Sequence, residues 1–474
     1  MIRRTFAALR PRLRSAALAC LAIPLVASTS GCMAPVPDEG SVATRAATSF
    51  AALPPMKVFP ATAHMPMPRV SNTDLARDFL DLSFNLESGR PLPVFTRVEG
   101  PIRISLSGNV PPGMARDLDQ VIARMRREAG LDIARLPSGQ TGNITINAVT
   151  GAQIRQQLPD AACFVVPGIS HLSEYRGARR TGQTDWARMT TRDKLAIFVP
   201  ADAAPQEIRD CLHEELAQSL GPLNDLYRLS YSTFNDDNIQ TVLTGFDMMM
   251  LRVTYAPELH SGMTKGEVAA RLPGILARIN PAGAHLPSHP QAETPAAWVQ
   301  AVSGALAPGG APAARIRCAH QALAMAQAAG WNDHRTAFAY YILGRLLQVR
   351  EPERAESYLE QAHAIYSRLP ETRIHAAHTA VQLAAHALSV GDGDKALKLL
   401  QGRDEVAILH KNAVLLANIE LLRAEALEMT GHPDQARAVR LDSLGWARYG
   451  FGPDWAVRAR MQEIDAMAGI SVRG

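Results

Sequence analysis

The stretch Cys211-Leu212-His213-Glu214-Glu215-Leu216-Ala217-Gln218-Ser219-Leu220-Gly221-Pro222-Leu223-Asn224-Asp225 decides how this chain is read. Ala204-Pro205 precedes it, and proline suits the first turn of a helix. The spacing therefore predicts a helix from about Pro205 to Leu220. On a helix, residues four apart share a face, so Glu214 and Gln218 point the same way with Glu215 beside them. Gly221 is expected to end the helix in the left-handed conformation. The chain then turns back and carries Asn224 toward the same face. One helix and one turn thus gather a carboxylate pair and two amides at one place.

Outward from this stretch, strand and helix patterns alternate from about Thr73 to Ala282. Ile102 to Leu106 alternates like a strand, and Met114 to Ala129 has helical periodicity. Ile144 to Ile146 begins another strand, and Ala152 to Leu158 is a short helix. Ala162 to Val166 and Leu195 to Val199 are apolar strand runs. This order predicts an α+β domain with a mixed sheet over residues 73–282.

Residues 290–467 read as nearly all helix, with a repeat. Leu306, Leu347, Leu388 and Leu427 are 41, 41 and 39 residues apart, and Ala314, Ala355, Ala396 and Ala436 are 41, 41 and 40 apart. A turn lies between each Leu and the following Ala, at Pro308-Gly309-Gly310, Glu351-Pro352-Glu353, Gly391-Asp392-Gly393 and Gly431-His432-Pro433. Each Leu ends one helix, and each small Ala lets the next pack closely. Four such hairpins resemble a tetratricopeptide-like solenoid, although only Leu343-Gly344 matches its usual signature. The resemblance implies a concave face that binds a protein or peptide partner.

The N-terminus reads as a targeting segment. Arg3, Arg4, Arg10, Arg12 and Arg14 precede an apolar run, Ser15 to Ala27, that is too short to span a bilayer. Thr29-Ser30-Gly31-Cys32 resembles a bacterial lipobox, with Thr where Leu is usual. The resemblance implies a signal peptide over 1–31, a lipoprotein with Cys32 as the lipidated residue, and a membrane partner through that anchor. Residues 32–72, rich in Pro, Ala and Ser, read as a flexible tether. The expected location is the bacterial cell envelope, facing the periplasm. A net charge of +4 over 474 residues gives no electrostatic case for a nucleic-acid partner. In an oxidising compartment, two of Cys163, Cys211 and Cys318 are expected to pair. The strand position of Cys163 and the helix position of Cys211 predict a disulfide that clamps helix to sheet, leaving Cys318 as a buried free thiol in a helix.

Written as E-E-x-x-Q-x-x-G-x-x-N-D, the opening stretch resembles the metzincin motif H-E-x-x-H-x-x-G-x-x-H-D. The resemblance implies a peptidase fold, with Glu214, Gln218 and Asn224 at the three metal-ligand positions and Glu215 at that of the general base. Leu259 to Thr264 resembles the family's Met-turn, with Met263 as its methionine. His260 is a candidate replacement ligand, and Tyr227 and Tyr231 are nearby tyrosines without an assigned role. His213 does not restore the motif, because its partner position holds Ala217. The set Cys-Leu-x-Glu-Glu-x-x-Gln-Ser-Leu-Gly-x-x-Asn-Asp, Phe-Asn-Asp, Leu-Thr-Gly-x-Asp and a Gly-Met turn resembles the uncharacterised bacterial domain-of-unknown-function family 2927, over about residues 75–280.

The ligand chemistry divides the functional readings. Catalytic zinc takes imidazole, thiolate or carboxylate, whereas Gln218 and Asn224 offer neutral amide oxygens. The first reading is an atypical or inactive peptidase-like domain that binds polypeptide, joined to a partner-binding array. The second is a metallopeptidase holding zinc or another divalent cation, with Glu215 as base. The third places the biology in the array, with the first domain as its platform. No other cofactor is implied.

Overall fold

The computed structural model describes residues 52–60 and 65–470. The signal peptide, Cys32 and the tether up to residue 51 lie outside the described residues. Ser71 caps helix α1 (Asn72–Ser83), its hydroxyl accepting from the Asp74 N–H at 3.1 Å. The sheet comprises β1 (Ile102–Gly108), β2 (Ile133–Arg135), β3 (Ile144–Val149), β4 (Phe164–Pro167) and β5 (Leu195–Pro200). Their order is β2-β1-β3-β5-β4; the first four run parallel and β4 pairs antiparallel with β5 at the edge. All six residues of β5 and five of the six of β3 are buried, so these strands read as apolar runs and not as alternating ones.

Helix α2 (Met114–Arg124) ends in a π-helical turn, Met125–Ala129. Short α3 (Gly151–Arg155) and α4 (Leu172–Thr181) follow β3 and β4. Helix α5 (Pro205–Leu220) carries the opening stretch, α6 is Gly245–Thr254 and α7 is Lys265–Ile279. One core joins Ile104, Ile146, Ile197 and Val199 of the sheet to Leu118 of α2 and Leu212 and Leu216 of α5. A smaller one packs Phe164, Val166 and Phe198 against Ile154 and Tyr175. Helix α5 is not amphipathic, because twelve of its sixteen residues are buried.

An all-helical region follows: α8 (Ala296–Leu306), α9 (Pro312–Ala328), α10 (His334–Leu347), α11 (Pro352–Tyr366), α12 (Arg373–Ser389), α13 (Gly393–Leu400), α14 (Arg403–Leu409), α15 (Ala413–Met429), α16 (Pro433–Phe451) and α17 (Asp454–Ile470). The repeat hairpins are α8–α9, α10–α11, α12–α13 and α15–α16, with α14 inserted and α17 appended. Leu347, Leu388, Ala355, Ala396 and Ala436 are buried where the repeat placed them. Leu306 of the first hairpin is exposed, unlike its counterparts Leu347 and Leu388.

Two expectations are corrected. From Leu53 on, the segment read as a tether is packed against the body where it is described. Phe59 is buried and stacks on Trp446 at 4.5 Å, and the Lys57 N–H donates to the Gly445 carbonyl at 3.0 Å. A side chain at Gly445 would meet Lys57 Cγ at 2.8 Å, so this glycine keeps room for the strap. An apolar anchor inside a Pro- and Ala-rich stretch is easily missed by composition. Gly221, second, is not left-handed: its φ is −169°. A Cβ there would lie 2.9 Å from Thr254 Oγ1, so close packing against α6 is what asks for glycine. Among the described residues, no helix is long and apolar enough to cross a membrane.

Cys163 and Cys211 form a disulfide with a Cα–Cα distance of 6.0 Å, tying α5 to the start of β4. Cys318 is free and half-buried in α9. The bridge closes a 48-residue span, for which chain entropy alone gives about 4 kcal/mol. The double variant Cys163→Ser/Cys211→Ser is therefore expected to lose about 2–4 kcal/mol in denaturant unfolding, with the loss reproduced by reducing the wild type.

Candidate functional site

Helix α5 ends against a buried cation. The Arg192 guanidinium donates to the carbonyls of Gln218 (2.7 Å), Ser219 (3.0 Å) and Gly221 (2.7 Å), and its Nε donates to Thr96 Oγ1 at 3.1 Å. These carbonyls belong to the helix end and would otherwise lack partners. The negative end of the helix dipole stabilises the cation, which also lies over the Trp186 ring at 5.0 Å. Complete burial lowers the Arg192 pKa to about 10, which leaves it charged at neutral pH.

Beyond Gly221 the chain turns and presents Asp225, then a loop to Thr244. Asp247 of α6 anchors this loop, accepting from the Ser232 hydroxyl (2.5 Å) and from the N–H groups of Thr233 (3.2 Å) and Thr244 (2.6 Å). Thr244 and Asp247 form a capping box, and Gly245 lies against the strap, where a Cβ would meet the Met67 nitrogen at 2.3 Å. This accounts for the Leu-Thr-Gly-x-Asp signature. Asx bonds from Asn235 and Asp237 fold the Phe-Asn-Asp segment. Asp236 consequently faces one way and Asp237 the other.

Glu214, Glu215 and Gln218 line a cleft of about 680 Å³ together with Glu87, Asp225 and Asp236. Cys163, Phe164 and Val165 at the free edge of β4 form its opposite wall. The Gly168 N–H donates to the Lys194 carbonyl, so by alternation Val166 and Phe164 bond toward β5 and Val165 turns its N–H and C=O outward.

The expected ligand set is only partly assembled. The Gln218 amide donates to Glu87 Oε1 at 3.2 Å. Asn224 is buried and donates to the Asp81 carbonyl at 3.0 Å, away from the cleft, and Asp225 takes its place. His260 is exposed, with Nδ1 3.0 Å from the Ser261 carbonyl oxygen. His213 is on another face of α5, with Nδ1 accepting from the Leu243 N–H at 3.4 Å. Tyr227 packs against Trp298 and Phe338 of the array, and Tyr231 against Phe246. Met263 is buried below a turn whose backbone pairs with Phe95. Of the three ligand positions, only Glu214 offers a carboxylate to the cleft. Among the described residues, no three His, Cys, Asp or Glu side chains are grouped to hold a metal ion. This donor set does not fit a catalytic zinc.

The carboxylates hold one another's protons. Burial, then Glu87, Asp236 and Asp210, raises Glu214 to about 7. Burial, followed by Glu214 and Glu87, raises Glu215 well above the usual range. Glu215 is 5% exposed, and its Oε2 has no hydrogen-bond partner. Asp225 is raised by burial and by all four neighbouring carboxylates, and its Oδ1 is also unpartnered. Such a cluster can store and pass protons, but without a metal-activated water Glu215 is a weak route to hydrolysis. Arg192, Glu87 and Asp236 had no sequence signal as site residues, except that Asp236 stands in the quoted Phe-Asn-Asp.

Residues 72–274 match the family model described as a protein of unknown function (DUF2927). That span covers the sheet domain and every cleft residue, and stops before the array. No curated protein matches the chain.

Two outcomes test this geometry. Arg192→Met leaves the carbonyls of Gln218, Ser219 and Gly221 without this donor and is expected to cost about 3–5 kcal/mol in denaturant unfolding. For Glu214, a folded pKa raised from 4.5 to about 7 favours folding below pH 4.5, and that contribution is lost as pH rises through 7. Glu214→Gln is therefore expected to stabilise by on the order of 1–2 kcal/mol at pH 8, and by nearly nothing at pH 4, in paired thermal unfolding scans.

Proposed function

We propose that this protein holds an extended segment of polypeptide in the cleft between β4 and α5, and does not cut it. The observation that carries this reading is the free edge of β4, where the ladder's alternation turns the N–H and C=O of Val165 away from β5, without a partner among the described residues. An extended segment can add to such an edge as a further strand. The strand order, the antiparallel edge strand ahead of α5, the turn at Gly221 and the turn above Met263 support a metzincin-like ancestry. The donor set of the cleft supports binding without metal chemistry.

The helical hairpins support a tetratricopeptide-like array, to which we assign the role of buttress. Its side chains hold the loop that carries Asp236. His375 Nε2 lies 2.9 Å from Asp237 Oδ2, His410 Nδ1 lies 2.5 Å from Gln240 Oε1, and His334 Nε2 lies 2.6 Å from the Tyr227 carbonyl oxygen. The surface on which a partner was expected thus already engages the chain's own loop. We place the protein in the bacterial cell envelope, lipid-anchored at Cys32 and facing the periplasm. The Cys163–Cys211 disulfide suits that oxidising setting.

The test uses a fluorescent pool of nine-residue peptides and the full mature chain. Saturable binding is expected, reduced at least about tenfold by Ala162→Trp, which fills the exposed wall of the cleft. Recovered peptides are expected intact by mass spectrometry. Cleavage that disappears in Glu215→Gln would show that the cleft is a catalyst instead.

A further inference from the structure

We propose that the floor of the cleft is a recognition subsite for one basic side chain, arginine or lysine, of the bound polypeptide. This rests on the binding reading above and names what the cleft selects. Among the described residues, the lining includes six carboxylate residues, Glu87, Asp160, Glu214, Glu215, Asp225 and Asp236, and no Lys, Arg or His. Elsewhere in the protein, buried Asp247 is satisfied by hydroxyl and backbone N–H donors, and buried Asp78 has a cationic partner, Arg228, at 2.7 Å. The cleft lacks such a partner. Without a cation these buried acids keep their protons; a cation arriving from outside would favour their charged form and be held by it.

The independent sign of a ligand is Glu215. Its side chain is 95% buried by the complement of its 5% exposure, lines the cleft and leaves Oε2 without a donor. A buried carboxylate oxygen in that position lacks one hydrogen bond. The shape of the cluster favours an organic cation. Its acids come from four separate segments, residues 87, 160, 214–215 and 225–236, and no three converge as ligands on one ion. A guanidinium spreads five donors over a plane, and an ammonium carries three on a long stem, so either can reach oxygens that are apart. Leu158 and Leu223 in the walls offer apolar surface to the aliphatic stem.

Labelled nine-residue pools, randomised over uncharged residues except at the fifth position, provide the test. That position is Arg, citrulline, Lys or norleucine, and anisotropy is read on the full mature chain at pH 7.5. The Arg and Lys pools are expected to bind about tenfold or more tightly than their neutral partners. The preference should fall below about twofold in Asp236→Asn/Glu214→Gln and in 0.5 M salt. Because Asp236 and Glu214 are each partly open to the cleft, both variants should keep the wild-type circular dichroism; if the double variant unfolds, Asp236→Asn alone must still weaken the preference. Equal affinity for charged and neutral pools overturns the subsite and leaves polypeptide binding standing. Absence of binding by every pool overturns both.

Discussion

The rest of the site depends on one buried charge at the end of one helix. Arg192 satisfies the last carbonyls of α5 and the carbonyl of Gly221, so the helix stops where it does and the chain leaves in a fixed direction. Gly221 fits against Thr254 because it has no side chain. Asp225 is then brought over the face that carries Glu214 and Glu215. At the other end of this arrangement, the disulfide at Cys211 fixes the same helix to the strand whose edge forms the opposite wall. Both walls of the cleft are thus set by contacts to α5, and the helix can afford its polar interior only because these contacts hold it.

The second constraint is the loop from Asp225 to Thr244, shared between two cores. Tyr227 and Ile239 are buried in the helical core, while Leu229, Phe234 and Leu243 are buried in the core of the sheet domain. Neighbouring residues Asp236 and Asp237 divide between the cleft and His375. Helix α5 is held from the same side: Gln206 Nε2 donates to Asn412 Oδ1 at 3.2 Å, and the Arg209 guanidinium donates to the Lys411 carbonyl at 2.6 Å. The array is therefore part of the site's construction, although it contributes no lining residue.

Much of this fold was legible because it rests on local patterns. The buried strands β3 and β5 are continuous apolar runs, and the hairpins repeat a Leu and an Ala at a nearly constant period. The cysteine pairing followed from which elements the two residues occupy. Strand β2 escaped notice because three residues carry no period, and α4 because its Arg-rich sequence buries only Tyr175 and Ala178. The site was legible only on α5 itself. Asn224 has the right spacing, yet it turns to the Asp81 carbonyl, a contact across 143 residues that spacing cannot foretell. Arg192 looks like any polar loop residue until its four acceptors are brought around it.

Acid and base act on this protein at two different places and with opposite signs. The cleft carboxylates have raised pKa values, so their charging opposes the folded, empty state as pH rises. The histidines behind the loop are shifted the other way: burial lowers His378 to about 4 and His410 to about 3. A histidine with a depressed folded pKa contributes stability above its ordinary value of about 6.5, and that contribution is lost as pH falls. His378 Nε2 is buried without a partner among the described residues, so an added N–H there would find no acceptor. Protonation would also place new charge beside Arg345 and Arg373. Mild acid thus loads against the joint between loop and array, while mild base loads against the cleft. A cation entering the cleft would relieve only the second of these, which is why the acidic floor and the histidine-lined joint act as separate devices on one loop.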